Sequence, residues 1–341
     1  MRYRFIGDTI LAVPFLRNLR AAYPDAVIDV LVGPESGKVL EGCPYVNELI
    51  AFDTTKFHKY DRGEGKQRSL LSYAWELRKR NYDTAFVLKR SLSSAILALL
   101  IGARYRIGYG TQGRSFMLTH AFPMRNDVHE VESVLDALRA AKIPIKDKHL
   151  EAWTNNEEQL ALAAIAPEVT ACGGTKILVH AAAAHPDKMY PLALWADVMK
   201  QLKDKHADAT FFFTGAPRDY QLYSELEKLA GIQGVNLAGR LSLRLSIALM
   251  QNMHVAACVD SGPAHLGAAA GVPVVAIFGP TDPVRWGPWG EAHTTVVKDL
   301  ACRPCGYKKT CDDRRECLTE LAPERVVDAI ESKLSSLVTA R

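Results

Sequence analysis

The hydrophobic positions of the chain alternate between short apolar runs and longer amphipathic stretches. In the first half, apolar runs predict strands over 27–32 and 84–88. Apolar residues that recur on one stripe predict helices over 10–23, 70–80, 93–101 and 128–141. This alternation of strand and helix is typical of an α/β chain with parallel strands.

The second half repeats the alternation after a polar stretch over 146–158. Its predicted strands cover 176–180, 209–214, 255–259 and 272–278, and its predicted helices cover 192–205, 220–230, 242–250, 263–270 and 322–334. Two such runs predict two Rossmann-like domains that face a central cleft. We expect an N-terminal domain over 1–160 and a C-terminal domain over 174–322. A last helix over 323–341 is expected to pack back across the domains.

Composition and charge narrow the choice of partners. The 341 residues are 48% hydrophobic and 23% charged, which is typical of a globular protein of two domains. The net charge of +4 is too small to indicate a nucleic-acid partner. Residues 54–125, however, contain fourteen Lys and Arg against four Asp and Glu. That stretch is either a solvated surface or a face for anionic partners, such as acidic glycolipids or membrane headgroups.

No targeting or membrane-spanning segment is recognised in the sequence. Gly7 and Asp8 interrupt any apolar run near the start, and the longest apolar stretch, 95–101, is too short to span a bilayer. We therefore expect a cytoplasmic protein, with any membrane contact peripheral and at the inner face of the cytoplasmic membrane.

The run from Asp260 to Ala269 predicts a phosphate-binding helix start. A β-rich run ends at Asp260, and a helix of small residues follows Ser261 and Gly262, with His265 in its first turn. The first turn of a helix presents N–H groups and a partial positive charge, which suit a phosphate. The alternative is an ordinary crossover helix that Ser261 or Asp260 caps.

Two further loops of the same half follow predicted strands. One carries Lys188, a point charge suited to a diphosphate, and the other carries Asp219, a carboxylate suited to a ribose diol. Each signal is weak alone, since a lone lysine is more often a surface residue. Because ligands of parallel sheets bind beyond the carboxyl ends of the strands, the three loops together predict a nucleotide diphosphate site.

Four of the seven cysteines fall within sixteen residues: Cys302, Cys305, Cys311 and Cys317. The first pair has the C-x2-C spacing of a chelating turn, and the second has a C-x5-C spacing that is longer than the commonest zinc pattern. Four thiolates in a reducing compartment suit a structural zinc or iron ion. The alternative is four unligated thiols in a loop.

Three ordered motifs, at 5–14, 260–265 and 278–283, resemble glycosyltransferase family 9, which contains the bacterial lipopolysaccharide heptosyltransferases. The resemblance runs along nearly the whole chain. It implies a GT-B fold and inverting transfer of a heptose from ADP-heptose to a lipopolysaccharide core or related bacterial glycan. It also implies that catalysis requires no cofactor.

The resemblance further implies roles for single residues. The acidic residue of the N-terminal Gly-Asp motif acts as the general base in the family, and here it is Asp8. The alternative for Asp8 is a cap of the helix predicted over 10–23. The donor-binding residues implied by the family are Lys188, Asp219, Leu241, Asp260, Ser261, Gly262 and His265.

The acceptor is expected to bind the N-terminal half. Candidate cations for its carboxylate or phosphate groups are Lys89, Arg90, Arg104, Arg106 and Arg114. A basic loop could close over the acceptor or touch the membrane, and it contains Lys56, Lys59, Arg62, Lys66 and Arg68.

Other functions remain open on the sequence alone. A heptosyltransferase with a protein acceptor would have the same donor site. A nucleotide-sugar epimerase of GT-B fold would turn over the donor with no acceptor. A binding protein without catalysis would bind ADP and show no dependence on Asp8.

Overall fold

The computed structural model describes residues 5–53, 68–111, 113–306, 311 and 314–339. It divides into two compact units, Met1–Leu150 and Glu151–Arg341. Four cations of the predicted basic loop, Lys56, Lys59, Arg62 and Lys66, lie outside the described residues.

Unit 1 alternates short parallel strands with helices, as the pattern predicts. Its helices are α1 (Ile6–Ile10), α2 (Val13–Ala22), α3 (Leu70–Arg78), α4 (Leu92–Leu100) and α5 (Glu130–Ala140). Its strands are β1 (Asp29–Val32), β2 (Glu48–Ala51), β3 (Thr84–Val87), β4 (Tyr105–Tyr109) and β5 (His120–Phe122). The strands form two parallel sheets, β1-β2 and β3-β4-β5.

Local chemistry explains where the helices of unit 1 begin. The helix predicted over 10–23 corresponds to α2, which begins at Val13, and Pro14 lies in its first turn, where the missing N–H costs no hydrogen bond. Ser69 caps α3 by accepting from Ser72 N at 3.1 Å, and Ser91 caps α4 in the same way.

Unit 2 contains one parallel sheet. Its strands are β6 (Lys176–His180), β7 (Thr210–Phe213), β8 (Val235–Asn236), β9 (Val255–Val259), β10 (Val274–Phe278) and β11 (Thr294–Val297). Its helices are α6 (Asn156–Ile165), α7 (Glu168–Ala171), α8 (Leu192–Lys205), α9 (Tyr220–Ala230), α10 (Leu243–Gln251), α11 (Gly262–Ala269), α12 (Pro283–Trp286), α13 (Glu316–Thr319) and α14 (Pro323–Thr339). The strand order is β11-β10-β9-β6-β7-β8.

The central strands of unit 2 are apolar along their whole length, which is expected of parallel strands covered on both faces. All five residues of β9 and all five of β10 are buried. Helix α14 packs on α8 and beside β9, β10 and β11, so it covers one face of this sheet. The predicted α/β class with parallel sheets is confirmed.

None of the helices in the described ranges is both long enough and apolar enough to cross a lipid bilayer.

Candidate functional site

The strand order of unit 2 indicates where a ligand would bind. Strand β6 lies between β7 and β9, so the chain moves outward on one side of β6 and then returns to its other side. In parallel α/β sheets, ligands bind beyond the carboxyl ends of the strands at such a switch point. The loops that follow β6 and β9 are therefore the candidate site.

These two loops are joined by an ion pair. Lys188, in a single 3-10 turn after β6, has its Nζ 2.7 Å from Oδ2 of Asp260, the residue that follows β9. The Asp260 side chain is 5% exposed and that of Lys188 is 21% exposed. Thr281, in the loop after β10, donates its hydroxyl hydrogen to the same carboxylate oxygen. A cation and a hydroxyl thus hold one buried carboxylate at the switch point.

Helix α11 begins beside this carboxylate. Ser261 occupies the position before the helix, but its Oγ donates to Val259 O at 3.0 Å and makes no capping bond. The side-chain cap expected under the alternative interpretation is therefore not formed by Ser261. His265 lies one turn into α11 and is buried.

A small residue is needed inside α11. A Cβ on Gly267 would lie 2.9 Å from Cγ2 of Val274, so glycine lets the helix pack closely on β10. The close packing fixes the start of α11 beside Asp260.

In the loop after β7, the Asp219 side chain folds back and binds the backbone of the same turn. Oδ2 of Asp219 accepts from Ala216 N at 2.8 Å. Gly239, with φ of +77°, donates its N–H to Gly215 O at 2.9 Å. This bond places the loop that leads to Leu241 against the loop that leads to Asp219.

His180, at the end of β6, was not predicted as a site residue. Its Nδ1 lies 2.7 Å from Thr214 O, and Tyr223 donates its hydroxyl to the same carbonyl at 2.8 Å. Burial lowers the pKa of His180 below its ordinary value, so the ring is neutral at pH 7 and donates to the carbonyl. His180 and Tyr223 hold the ends of β6 and β7 together beneath the candidate site.

The described residues of the segment 302–317, which we call the cysteine segment, form hydrogen bonds to two loops of the same site. Arg303 donates to Gly279 O at 2.5 Å, and Gly306 N donates to Pro280 O at 3.0 Å. Arg315 donates to Pro186 O at 3.0 Å. These contacts fix the backbone just before Thr281 and two residues before Lys188. Sequence reasoning missed them because arginine-to-carbonyl bonds leave no spacing pattern.

The four cysteines are free thiols that differ in exposure. Cys317 is buried, Cys305 and Cys311 are half-buried, and Cys302 is exposed. Burial raises the pKa of the Cys317 thiol, and the other three cysteines add to the rise. Among the described residues, no three His, Cys, Asp or Glu side chains are placed together as ligands of a metal ion.

In unit 1, Asp8 is the third residue of α1. The residue before α1 is Phe5, and the residue before α2 is Ala12, so Asp8 is in neither cap position. Its carboxylate is partly exposed in the first turn of α1, where a negative charge suits the helix dipole.

The five predicted acceptor cations lie at opposite ends of the parallel strands β3 and β4. Lys89 and Arg90 follow β3, and Arg114 follows β4, so these three lie at the carboxyl ends of the strands. Arg104 and Arg106 lie at the amino end of β4. The structure therefore brings three of the five together and places two apart from them.

Most of these arginines already make internal hydrogen bonds. Arg90 binds the buried carboxylate of Glu130 at 2.6 and 2.5 Å. Arg114 is 1% exposed and donates to Tyr109 O at 2.8 Å and to Lys89 O at 3.1 Å. Burial lowers the pKa of Arg114 below its ordinary value. Arg114 thus supports the loop that carries Lys89 and Arg90.

Comparison with known proteins decides the family. The model of glycosyltransferase family 9 (heptosyltransferase) matches residues 70–314, which is more than half of the chain. The chain belongs to glycosyltransferase family 9. The family predicted from the three motifs is confirmed, and the protein is a glycosyltransferase.

Individual relatives are similar along nearly their whole length. Lipopolysaccharide heptosyltransferase 2 of Salmonella typhimurium is 26% identical, and the alignment covers 97% of this chain and 96% of that protein. The solved glycosyl transferase family 9 protein of Veillonella parvula superposes with a TM-score of 0.82 at 20% identity, covering 98% of this chain and 95% of that one. The Escherichia coli ADP-heptose lps heptosyltransferase II superposes with a TM-score of 0.76 at 22% identity, covering 97% and 96%. The fold is therefore that of the GT-B heptosyltransferases, as the sequence predicts.

The family 9 match includes every predicted donor-site residue from Lys188 to His265, together with Thr281. Asp8 precedes the matched residues, so its role depends on the longer alignments and on its own chemistry.

Proposed function

We propose that this family 9 enzyme transfers a heptose from ADP-heptose, with inversion, to a lipopolysaccharide core or a related bacterial glycan. The observation that carries the proposal is the Lys188–Asp260 pair beside the start of α11, at the switch point of the sheet in unit 2. Relatives named as lipopolysaccharide heptosyltransferases support the sugar and the acceptor class.

The donor diphosphate would bind at the first turn of α11. The N–H groups of that turn and the ammonium group of Lys188 both attract an anion. On binding, Lys188 would turn from Asp260 to the phosphate oxygens. The Asp260 carboxylate, still held by Thr281, would then accept hydrogen bonds from hydroxyl groups of the donor sugar.

The remaining donor contacts follow from the adjacent loops. Ser261, Gly262 and His265 would complete the diphosphate site, Asp219 would bind the ribose, and the backbone near Leu241 would meet the adenine. The hydrogen bond between Gly239 and Gly215, which brings the last two loops together, supports this assignment.

In the transfer step, Asp8 would act as the general base. The acceptor hydroxyl oxygen attacks the anomeric carbon and its proton passes to the Asp8 carboxylate. The bond from the anomeric carbon to the phosphate oxygen breaks, and ADP leaves with the electron pair. A positioned base contributes about 10²–10⁴-fold to the rate. Lys188 and the start of α11 stabilise the leaving diphosphate, so catalysis requires no cofactor.

The acceptor would bind unit 1 through cations at the carboxyl ends of its strands. Lys89 and Arg90 are the best placed, and Arg114 would act through the loop that it supports. Lipopolysaccharide cores carry anionic groups that suit these cations. Because a lipopolysaccharide core is part of a glycolipid, we further propose a cytoplasmic enzyme that touches the inner membrane peripherally through the basic stretch 54–125.

We also propose that Cys302, Cys305, Cys311 and Cys317 hold one structural zinc or iron ion. Support comes from the C-x2-C and C-x5-C spacing of the four cysteines within sixteen residues. Four protein thiolates leave no open coordination position, so the ion would have a structural role. It would order the segment that braces the loops of Lys188 and Thr281.

Isothermal titration with ADP, UDP and GDP tests the donor assignment. ADP should bind more tightly than the other two, and tighter binding of UDP would overturn the assignment of the base. Mass spectrometry of the products then separates the alternatives. Turnover of ADP-heptose without acceptor, beyond slow hydrolysis, would favour an epimerase over a transferase.

A further inference from the structure

Helix α13 packs against the loop that carries Thr281. Leu318 of this helix is fully buried, and a Cβ on Gly279 would lie 2.8 Å from its Cδ1 atom. Gly279 directly follows β10, so the lack of a side chain there allows the helix to approach the start of the loop closely. The helix is therefore fixed at the end of β10.

One turn before Leu318, the Arg315 side chain reaches the loop after β6. Its Nη1 donates to Pro186 O at 3.0 Å. The same carbonyl accepts from Met189 N at 3.0 Å, a bond that closes the 3-10 turn ending at Lys188. Arg315 therefore holds the turn of Lys188 from a distant part of the chain.

The backbone of Arg315 lies in the left-handed region, with φ of +50° and ψ of +40°. An L-residue is strained there because its Cβ approaches the following carbonyl oxygen, whereas glycine is not. Strain of this kind persists where contacts of the surrounding structure hold it. A glycine would fit this backbone better but could not donate to Pro186 O. What arginine supplies at this position is therefore its side chain.

The adjacent Arg314 makes different contacts. Its Nη1 lies 3.0 Å from Oε1 of Glu316, its Nε donates to Cys311 O at 3.2 Å, and its side chain is 66% exposed. These contacts lie within the cysteine segment, in contrast to the bond from Arg315 to the loop after β6. Two neighbouring arginines thus carry the same charge but hold different parts of the chain, so Arg314 is a matched control for Arg315.

We propose that Arg315 is a positioning residue for donor binding. By holding Pro186 O, it orders the turn that places the Lys188 ammonium group 2.7 Å from Asp260, where it would meet the diphosphate. A turn that is already ordered loses less conformational freedom when a ligand binds, which increases affinity. This inference rests on the proposed function, because it assigns Arg315 to the placing of the proposed diphosphate cation.

The first test is titration calorimetry with ADP. Arg315→Gly should bind ADP about fivefold or more weakly than wild type, because the turn of Lys188 is no longer held. Its melting temperature should stay within about 2 °C of wild type, since relief of the left-handed strain offsets the lost bond. Arg315→Lys keeps a cationic donor and should bind ADP within about twofold of wild type. Arg314→Ala removes the same charge and should have the affinity of wild type.

A second comparison asks whether Arg315 acts through Lys188. In Lys188→Ala protein, Arg315→Gly should weaken ADP binding by less than about twofold, because the cation that the turn positions is already absent. A direct contact of Arg315 with ADP, or a general loosening of unit 2, would give the same loss in both backgrounds. That result would overturn the proposal.

Amide exchange in protein without ADP tests the turn itself. The Met189 N–H should exchange about fivefold or more faster in Arg315→Gly than in wild type, and at the wild-type rate in Arg314→Ala. This measurement separates the inference from the donor assignment. Wild type that does not bind ADP would contradict the proposed donor, whereas unchanged Met189 exchange in Arg315→Gly would overturn the role of Arg315. Unchanged ADP affinity in Arg315→Gly, or an equal loss in Arg314→Ala, would overturn it as well.

Discussion

At the scale of the residue, the site is organised around the Asp260 carboxylate. Lys188 and Thr281 hold it from two different loops. A buried carboxylate that loses its cation keeps its charge without compensation, which is costly. Lys188 therefore stabilises the Asp260 carboxylate, and its ammonium group is the cation that we propose for the diphosphate.

Lys188→Ala should weaken ADP binding by about tenfold or more, because one charge-assisted contact to the diphosphate is lost. Lys200→Ala is a matched control, since Lys200 lies on α8 in an exposed pair with Asp197 at 3.4 Å. Titration calorimetry of both variants gives the comparison. If ADP binds Lys188→Ala as tightly as wild type, Lys188 is not a diphosphate ligand.

His293 makes the stability of unit 2 depend on pH. Burial, and then the nearby charge of Lys333, lower its pKa from 6.5 to about 4, and its Nδ1 accepts from Val274 N at 3.2 Å. The folded state therefore favours the neutral ring. The associated stability is complete above pH 6.5 and is lost as the pH falls toward 4.

Over that window the free energy of unfolding should fall by about 3 kcal/mol from His293 alone. Urea unfolding of wild type and His293→Gln at several pH values measures it. The variant should be less stable at pH 7 and should show a flatter pH dependence. His149→Gln, at an exposed position, should keep the wild-type slope, and an unchanged slope in His293→Gln would refute the assignment.

At the scale of the element, the sequence predicts the bounds of a helix or strand best where its apolar positions form one clear pattern. Strand β6 and helices α8 and α9 have the predicted bounds. The strand is a nearly continuous apolar run that is buried on both faces, and each helix buries one apolar stripe. Strand β2 was missed, since only one of its four residues is buried. Helix α6 (Asn156–Ile165) was also missed, since it begins within the polar stretch 146–158.

A signal for α6 was nevertheless present. Asn155 and Glu158 form a capping box, in which each side chain accepts from the backbone of the other. The Glu158 carboxylate also binds Arg244 of α10 at 2.7 Å. Asn155 and Glu158 therefore mark the start of α6 in the sequence. The ion pair with α10 could not be predicted from the sequence, because it depends on tertiary packing.

The same limit applies to the candidate site. Lys188 and Asp260 could be predicted because each follows a strand and carries a charge suited to a nucleotide sugar. Thr281, Arg303 and His180 act through bonds to one side chain or to backbone carbonyls, and their residue types alone do not indicate such contacts.

The cysteine segment gives a prediction at this scale. If it binds a metal ion, protein purified without chelator should contain about one zinc or iron per chain, and Cys305→Ser should lose it. The melting temperature should then fall by several degrees, because the segment braces the loops at Pro186 and Pro280. Cys172→Ser, outside the cluster, should retain the metal. Active, reduced wild-type protein with a metal content near zero would exclude the ion.

At the scale of the whole molecule, the proposed nucleotide-sugar site lies in unit 2, and the proposed base Asp8 and the proposed acceptor cations lie in unit 1. The central claim is that Asp8 removes the acceptor proton while unit 2 holds ADP-heptose. A residue with that role should affect the chemical step and leave donor affinity nearly unchanged.

The most direct test compares wild type and Asp8→Ala, with Asp25→Ala as an exposed control in the same unit. Transfer of heptose from ADP-heptose to a lipopolysaccharide core acceptor is followed by mass spectrometry, and ADP affinity by calorimetry. Asp8→Ala should lower the transfer rate by about 10²-fold or more, with ADP affinity within a few-fold of wild type, while Asp25→Ala matches wild type in both. Retained transfer with a large loss of ADP affinity in Asp8→Ala would contradict the account.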